Sequence, residues 1–272
     1  MNLVFDPHEF HRSRIYAGEV HLLRSTPCSA ALCSRVWTEI VKSLDDSDPR
    51  TIRRRLDNPT FFERFAVPRR GVGLDPDILQ LTRQLLRELG YPAHTLFDRP
   101  RIRSVQSGGH HIPEASPAYG LHRDTWYANP QAQINHWLPL HDTTPEEVFG
   151  FFPEFWSRPI ANTSACFDYD DWNRTGGFQA YQHARPSEQI HPSTPPLDSS
   201  RAVRIAAPAA YILRFSAAHL HGTLPHDSGF TRYSLEIRTV DPEDHAAGIG
   251  APNLDNASRG NMTPDLLRLG DG

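Results

Sequence analysis

The chain has 272 residues, 38% of them hydrophobic and 10% aromatic, and its formal net charge is −4. This composition is typical of a folded globular protein, and the length suits one large domain or two small ones. Basic and acidic residues are mixed along the chain, which argues against a nucleic-acid partner and against binding to an anionic membrane.

The cysteine count and the first residues bear on the compartment. Cys28, Cys33 and Cys166 form no dense disulfide framework, which indicates a reducing environment. The amino terminus lacks a basic leader followed by a long apolar segment, and no apolar run reaches membrane-spanning length. We therefore expect a soluble, cytoplasmic protein. Lys42 is the only lysine, and this skew toward arginine, with 24 prolines, suggests a GC-rich bacterial genome.

Two amphipathic helices are predicted in the first part of the chain. Apolar residues recur at helical spacing over 29–44, with Thr26 or Ser29 as the N-cap. A second helix is predicted over 75–89, where Gly90 and Pro92 end the pattern. Residues 1–99 are therefore expected to be a mostly helical front.

The pattern changes to short β-like segments after Pro100. Four segments predict strands, "RIRSVQS", "AQINHWLPLH", "AYILRFS" and "RYSLEIRTV". We assign residues 100–144 and 201–241 to the strands of a barrel core, 145–200 to an inserted, lid-like segment rich in proline and aromatics, and 242–272 to a C-terminal tail. The expected fold is a single mainly β domain with flanking helices.

The last predicted strand has two contrasting faces. Tyr233, Leu235 and Ile237 project to one side, whereas Arg232, Ser234 and Glu236 project to the other. In an open sheet the polar face would be solvated. Two sheets that close on each other could instead turn it toward an internal ligand site, as in small barrels and jelly rolls.

Candidate metal ligands lie in two distant segments. His122 and Asp124 are two residues apart, so in an extended segment their side chains project to one face. A distal histidine, His221, would complete a set of two nitrogens and one carboxylate, which leaves coordination positions open on ferrous iron. Arg232 follows eleven residues later and offers a planar fork for a carboxylate. Taken alone, the His-x-Asp tripeptide is equally compatible with surface residues.

The order His122-x-Asp124, His221-Gly222-Thr223 and Arg232 resembles that of the Fe(II)- and 2-oxoglutarate-dependent oxygenases, within the phytanoyl-CoA dioxygenase-like superfamily. The resemblance extends over about residues 101–240. It implies a double-stranded β-helix, a cupin-like jelly-roll barrel. It also implies that His122, Asp124 and His221 bind Fe(II), and that 2-oxoglutarate and dioxygen are co-substrates.

The same resemblance implies that Arg232 pairs with the distal carboxylate of 2-oxoglutarate, assisted by Thr223. Gln133 or Asn135 could bind the co-substrate or orient a metal ligand, or either amide could simply solvate a loop. His219 shares the strand face of His221 and is an alternative ligand, although the interval to Arg232 favours His221. Asp168, Asp170 and Asp171 are candidates either for contact with a cationic substrate or for a solvated acidic loop.

The implied activity is oxidation of a C–H bond in a small polar metabolite, by hydroxylation or oxidative ring closure. An aspartate at position 124, rather than a small residue that makes space for a halide, favours oxygenation over halogenation. The substrate could belong to natural-product or aminoglycoside biosynthesis. Two alternatives are a cupin-type zinc or manganese isomerase or hydrolase and a non-catalytic jelly-roll binding module. The oligomeric state is left open.

Overall fold

A computed structural model describes residues 1–112, 115, 119–176 and 190–271. Its helices are Arg12–Tyr16 (α1), Pro27–Leu44 (α2), Asn58–Gly71 (α3), Pro76–Glu88 (α4), Tyr169–Arg174 (α5) and Pro242–Ala246 (α6). Its strands are Asn2–Phe5 (β1), Glu19–Leu23 (β2), Leu96–Phe97 (β3), Arg101–Val105 (β4), Gln133–Pro139 (β5), Gly150–Phe151 (β6), Val203–Arg204 (β7), Ile212–Ser216 (β8), His221–Gly222 (β9), Arg232–Val240 (β10) and Leu267–Arg268 (β11). No described helix is both long and apolar enough to cross a membrane.

The two predicted helices are present as α2 and α4. Thr26 is the N-cap of α2, where its hydroxyl accepts the backbone N–H of Ser29 and the Ser29 hydroxyl accepts that of Thr26. The Asp75 carboxylate caps α4. Gly90 follows α4 with a φ of 84°, a conformation that glycine adopts without steric cost. The helix α3, with proline near both of its ends, was not predicted.

The strands form a large and a small sheet. The large sheet has the order β1-β2-β8-β5-β10-β3-β11, and β4 also pairs with β10; the small sheet has the order β7-β6-β9. All four predicted strands belong to the large sheet, as β4, β5, β8 and β10. β1 and β2 were not predicted. They lie in the expected helical front and join the edge of this sheet.

The large sheet separates two hydrophobic layers. Tyr233, Leu235 and Ile237 lie in a cluster with the buried faces of α2, α3 and α4. On the opposite face, Trp137, Leu213 and Phe215 pack against Phe149 and Phe151 at the small sheet. The chain is therefore mainly β with flanking helices, and its two facing sheets have the layout of a jelly roll, as predicted. Among the described strands no ladder joins the two sheets into a closed barrel.

The inserted segment and the tail each contribute a strand to the sheets. β6, from the beginning of the 145–200 segment, is the central strand of the small sheet, and β11, from the tail, pairs with β3. Residues 177–189, the middle of the expected lid, lie outside the described residues. Lid closure and the division of the chain into segments stay predictions.

Candidate metal centre

Main-chain pairing brings the two histidines together. His122 and His221 form an antiparallel bridge, in which each backbone N–H donates to the other residue's carbonyl, over 2.9 and 3.0 Å. His221 is also the first residue of β9 and pairs with Phe151 of β6. The pair therefore extends the small sheet, and the side chains of neighbouring bridged residues point to the same face.

Gly222 permits this close approach. A Cβ atom at position 222 would lie 2.8 Å from the Leu121 Cδ2 and 3.1 Å from both the Leu121 Cα and the Gly120 oxygen. Two of these three neighbours are main-chain atoms, so the clash could not be relieved by a rotamer change. Glycine in the His-Gly-Thr triplet is thus explained by packing between β9 and the segment that carries His122.

Each imidazole is oriented by a backbone carbonyl. The His122 Nδ1 lies 2.8 Å from the Gly120 oxygen, and the His221 Nδ1 lies 2.9 Å from the His219 oxygen. Because a carbonyl only accepts, both Nδ1 atoms carry a proton, so in the neutral ring Nε2 is the nitrogen that presents a lone pair. Burial lowers the pKa of His221, which favours the neutral ring that a metal requires.

Asp124 completes the cluster. It begins a 3-10 helix, Asp124–Tyr127, and its Oδ1 lies 3.3 Å from the His122 Nε2. One ligand atom from each of His122, Asp124 and His221 lies within 4.8 Å of the others, a spacing that can hold one metal ion. Burial acts to raise the pKa of Asp124, but the positive charge of Arg238, the largest of the opposing effects, helps to hold it well below its usual range. The carboxylate is therefore ionised.

Two side chains of β5 orient the Asp124 carboxylate. The Asn135 Nδ2 donates to the Asp124 Oδ2 over 2.6 Å, and the Gln133 Nε2 donates to the Asn135 Oδ1 over 2.9 Å. Gln133 and Asn135 share a strand face, so the two amides form a relay behind the carboxylate. Of the two uses considered for these residues, orientation of a metal ligand is the one that this geometry favours.

Arg123, between the two candidate ligands, anchors their segment. Its buried guanidinium forms an ion pair with Asp255, with an Nε to Oδ1 distance of 3.1 Å, and donates to the carbonyls of Ala218 and Phe155. Asp255 also accepts the Trp126 indole N–H over 2.8 Å. Arg123 and Asp255 were not predicted from sequence. The only indication in the sequence was that a charged residue stands between His122 and Asp124, whose side chains face the cluster.

Arg232 is buried without a carboxylate partner in the described part of the chain. It begins β10 and is 3% exposed, and its Nε and Nη1 atoms have no hydrogen-bond partner among the described residues. Its Cζ lies 5.7 Å from the centre of the Trp137 ring. Burial lowers the pKa of Arg232 to about 10, so the guanidinium is charged at neutral pH. A buried charge without an ion-pair partner costs on the order of several kcal/mol unless an anion binds it.

Other unpaired polar atoms occur on the same interior face. The Ser234 Oγ and the Trp137 Nε1 are buried without hydrogen bonds to described residues. Phe149 connects this region to the metal cluster, because its ring centre lies 5.4 Å from that of Trp137 and 5.6 Å from that of His221. The His and Asp cluster and the unpaired cation thus lie on the same side of the large sheet, with Trp137 and Phe149 between them.

The remaining candidates have different surroundings. Thr223 is half-buried next to β9 and forms no hydrogen bond with His221 or Arg232. His219 is outside the cluster, and its ring lies 4.4 Å from Trp156. Asp168 caps α5 by accepting the backbone N–H groups of Asp170 and Asp171, and it pairs with Arg259.

A second group, His94, Asp241 and Glu243, also has metal-compatible spacing. Asp241 forms an ion pair with Arg12, with an Nη2 to Oδ2 distance of 3.1 Å, and caps α6 through the backbone N–H groups of Glu243 and Asp244. These contacts explain the carboxylate without a metal.

No family model matches the sequence, and no curated protein matches it significantly. Similar solved structures include EvdO2 from Micromonospora carbonacea var. aurantiaca in complex with 2-oxoglutarate, at 14% identity over 65% of this chain and 70% of EvdO2, with a TM-score of 0.40. AviO1 from Streptomyces viridochromogenes Tue57 is 13% identical over 91% of this chain and 100% of AviO1, with a TM-score of 0.40. The apo non-heme monooxygenase ThoJ is 14% identical over 78% of this chain and 70% of ThoJ, also with a TM-score of 0.40. These similarities are too weak to assign the chain to a family or an activity.

Proposed function

We propose that this protein is a non-haem Fe(II)- and 2-oxoglutarate-dependent oxygenase that oxidises a C–H bond of a small polar metabolite. The observation that carries the proposal is the combination, on one side of the large sheet, of a two-histidine, one-carboxylate cluster with the unpaired buried cation Arg232. The cluster alone would suit several divalent metals. The unpaired arginine adds the requirement for an organic or inorganic anion nearby, which a simple zinc hydrolase does not need.

The donor set fits ferrous iron. His122 and His221 would bind through Nε2 and Asp124 through its carboxylate, and three protein ligands leave open positions for small ligands. Asn135 would hold the carboxylate in place through the Asp124 Oδ2. Arg232 would bind the distal carboxylate of 2-oxoglutarate through its planar fork.

Bound iron with 2-oxoglutarate would supply activation of dioxygen coupled to decarboxylation of the co-substrate. The residues of this chain would position the participants and exclude water. Trp137 and Phe149 would form an apolar wall between the arginine and the cluster, where they strengthen the pairing of Arg232 with a carboxylate by lowering the local dielectric.

The test is anaerobic addition of Fe(II) and then 2-oxoglutarate to the apoprotein, with detection of the visible metal-to-ligand charge-transfer band of the chelate. We expect a band in the wild type and in His219→Ala, no band in His221→Ala, and a band in Arg232→Gln that requires at least about tenfold more 2-oxoglutarate. Circular dichroism of each variant controls for folding.

The absence of a band in folded wild-type protein that binds iron would contradict the proposal. Activity that needs zinc or manganese but neither dioxygen nor 2-oxoglutarate would then support the cupin-type hydrolase or isomerase. Loss of the band in His219→Ala with retention in His221→Ala would reverse the assignment of the distal histidine.

A further inference from the structure

A cluster of charged residues lies on the interior face of the large sheet, next to the metal cluster. Arg101 and Arg103 are two residues apart on the edge strand β4, and in the register Arg101 is opposite Glu236 and Arg103 opposite Ser234 of β10. Arg238, further along β10, is opposite Asn135 of β5. Since directly opposite residues of paired strands share a face, all these side chains project to the same side as Asn135, which holds Asp124.

The charges in this cluster are not balanced. The Arg103 Nε donates to the Glu236 Oε2 over 3.1 Å, and the Arg101 Nε lies 3.5 Å from the Asp98 Oδ2. Asp98 also lies 3.9 Å from the Arg238 Nε. Apart from Asp124, a candidate metal ligand whose charge also acts on Arg238, three arginines therefore share two carboxylates among the described residues.

Arg101 and Arg103 are the accessible members of this cluster. Their side chains are 44% and 52% exposed, whereas that of Arg238 is 13% exposed. Both pair with their carboxylates through Nε, so the Nη atoms at the outer ends of both guanidinium groups are available for a second oxyanion.

The accessible arginines are within electrostatic reach of the metal cluster. The charge of Asp124 contributes to raising the pKa of Arg103, after the larger contribution of Glu236. The half-buried Tyr127 adjoins the same site: its ring lies 5.4 Å from that of His122 and packs on the buried Phe167 ring at 5.2 Å. A molecule anchored at the arginines would therefore have its organic body next to Tyr127 and the cluster.

We propose that Arg101 and Arg103 bind an anionic group of the substrate, a carboxylate or a phosphate or sulfate ester, and so hold its organic body over His122, Asp124 and His221. The substrate class is thus a small organic anion rather than a cation. The inference rests on the proposed function for the reaction that the substrate undergoes, but anion binding itself requires neither iron nor 2-oxoglutarate and is measured without them.

The test is calorimetric titration of the metal-free protein with phenyl phosphate and, as a neutral match, benzyl alcohol. We expect phenyl phosphate to bind at least about tenfold more tightly than benzyl alcohol, and Arg101→Gln and Arg103→Gln each to weaken phenyl phosphate about tenfold without affecting the alcohol. Arg24→Gln is the matched control, because Arg24 is 64% exposed and has one carboxylate contact, with Asp6, at the other edge of the sheet. Its binding should equal that of the wild type.

Arg232→Gln distinguishes the two anion sites. Binding of phenyl phosphate that is unchanged in Arg232→Gln and reduced in Arg103→Gln supports the inference. Binding lost only in Arg232→Gln, or equal binding of phosphate and alcohol by the wild type, overturns it. Failure of the oxygenase proposal would instead be seen as a missing chelate band in a protein that still binds phenyl phosphate through Arg103.

Discussion

At the scale of single residues, the two histidines and the aspartate of the cluster are fixed in different ways. The His122 and His221 rings both donate from Nδ1 to the carbonyl two residues earlier, so the local main chain sets their tautomer. The position of Asp124 depends instead on a side chain from a different strand, Asn135. The carboxylate is therefore the ligand whose geometry a distant substitution can change most easily.

We expect Asn135→Leu to weaken binding of Fe(II) or Mn(II) by about 10–100-fold, because loss of the amide leaves the Asp124 Oδ2 without its donor. Gln133→Leu, two residues away on the same face, removes only the support of Asn135 and should have a smaller effect. Metal titration of both variants measures this. Equal affinities of Asn135→Leu and the wild type would show that the carboxylate is oriented by other contacts.

A second residue-scale prediction concerns Glu147, which precedes β6. Its buried carboxylate accepts from the Arg50 Nη2 over 2.5 Å and from the Thr144 backbone N–H over 2.9 Å. Burial acts to raise the pKa of Glu147, but the Thr144 amide and Arg50 outweigh it and lower the pKa below its usual value. The carboxylate thus stabilises the folded protein above the unfolded pKa, and this stabilisation decreases as pH falls through the lower folded pKa.

We expect Glu147→Gln to reduce the free energy of unfolding by about 1–3 kcal/mol at neutral pH. The difference from the wild type should narrow below about pH 4.5, where Glu147 takes up a proton in the unfolded chain before it does so in the folded protein. Urea unfolding near pH 7 and near pH 3.5 measures both values. A difference that stayed constant with pH would mean that the ion pair with Arg50 does not account for the effect.

At the scale of elements, the segment that carries His122 and Asp124 is positioned by distant parts of the chain. Asp255, near the end of the sequence, pairs with Arg123 and accepts from the Trp126 indole and the Ile160 backbone N–H. A single carboxylate therefore connects the tail, the inserted segment and the metal-ligand segment. The sequence did not indicate this connection, because residues 242–272 carry no pattern that distinguishes a packed tail from an exposed one.

We expect Asp255→Ala to lower the free energy of unfolding by about 3–5 kcal/mol, since it leaves the buried Arg123 charge unpaired. Metal affinity should fall as well, because the segment between His122 and Trp126 loses its anchor.

Arg259→Ala is the control: its pair with Asp168 is exposed and should contribute less than about 1 kcal/mol. Urea unfolding with an unchanged m-value, combined with metal titration, measures both effects. A stable Asp255→Ala variant with weakened metal binding would show that the anchor positions the ligands without stabilising the fold.

At the scale of the whole molecule, local periodicity predicted the elements with strong patterns. Alternating apolar and polar residues located β10 with its observed bounds; helical spacing located α2, with Thr26 as one of two candidate caps, and α4, with Gly90 and Pro92 as its end. The two-residue strands β6 and β9 were missed, because their pairing is decided by tertiary contacts rather than by a repeating pattern. The proximity of His122 and His221 depends on that pairing, and from sequence it could be inferred only by resemblance.

One face of β10 packs in the core under the helices, and the other faces the small sheet. The contribution of each face to stability can be measured on two neighbouring residues. Ser234 and Leu235 are both fully buried, but Leu235 packs in the core under the helices, whereas the Ser234 Oγ faces the interior without a hydrogen bond to described residues.

We expect Leu235→Ala to cost about 2–5 kcal/mol of unfolding free energy through loss of contacts and a residual cavity. Ser234→Ala should change it by less than about 1 kcal/mol, because no hydrogen bond with a described residue is lost. Urea unfolding of both variants gives the comparison. Equal destabilisation by Leu235→Ala and Ser234→Ala would mean that the Ser234 hydroxyl stabilises the fold and is not available to a ligand.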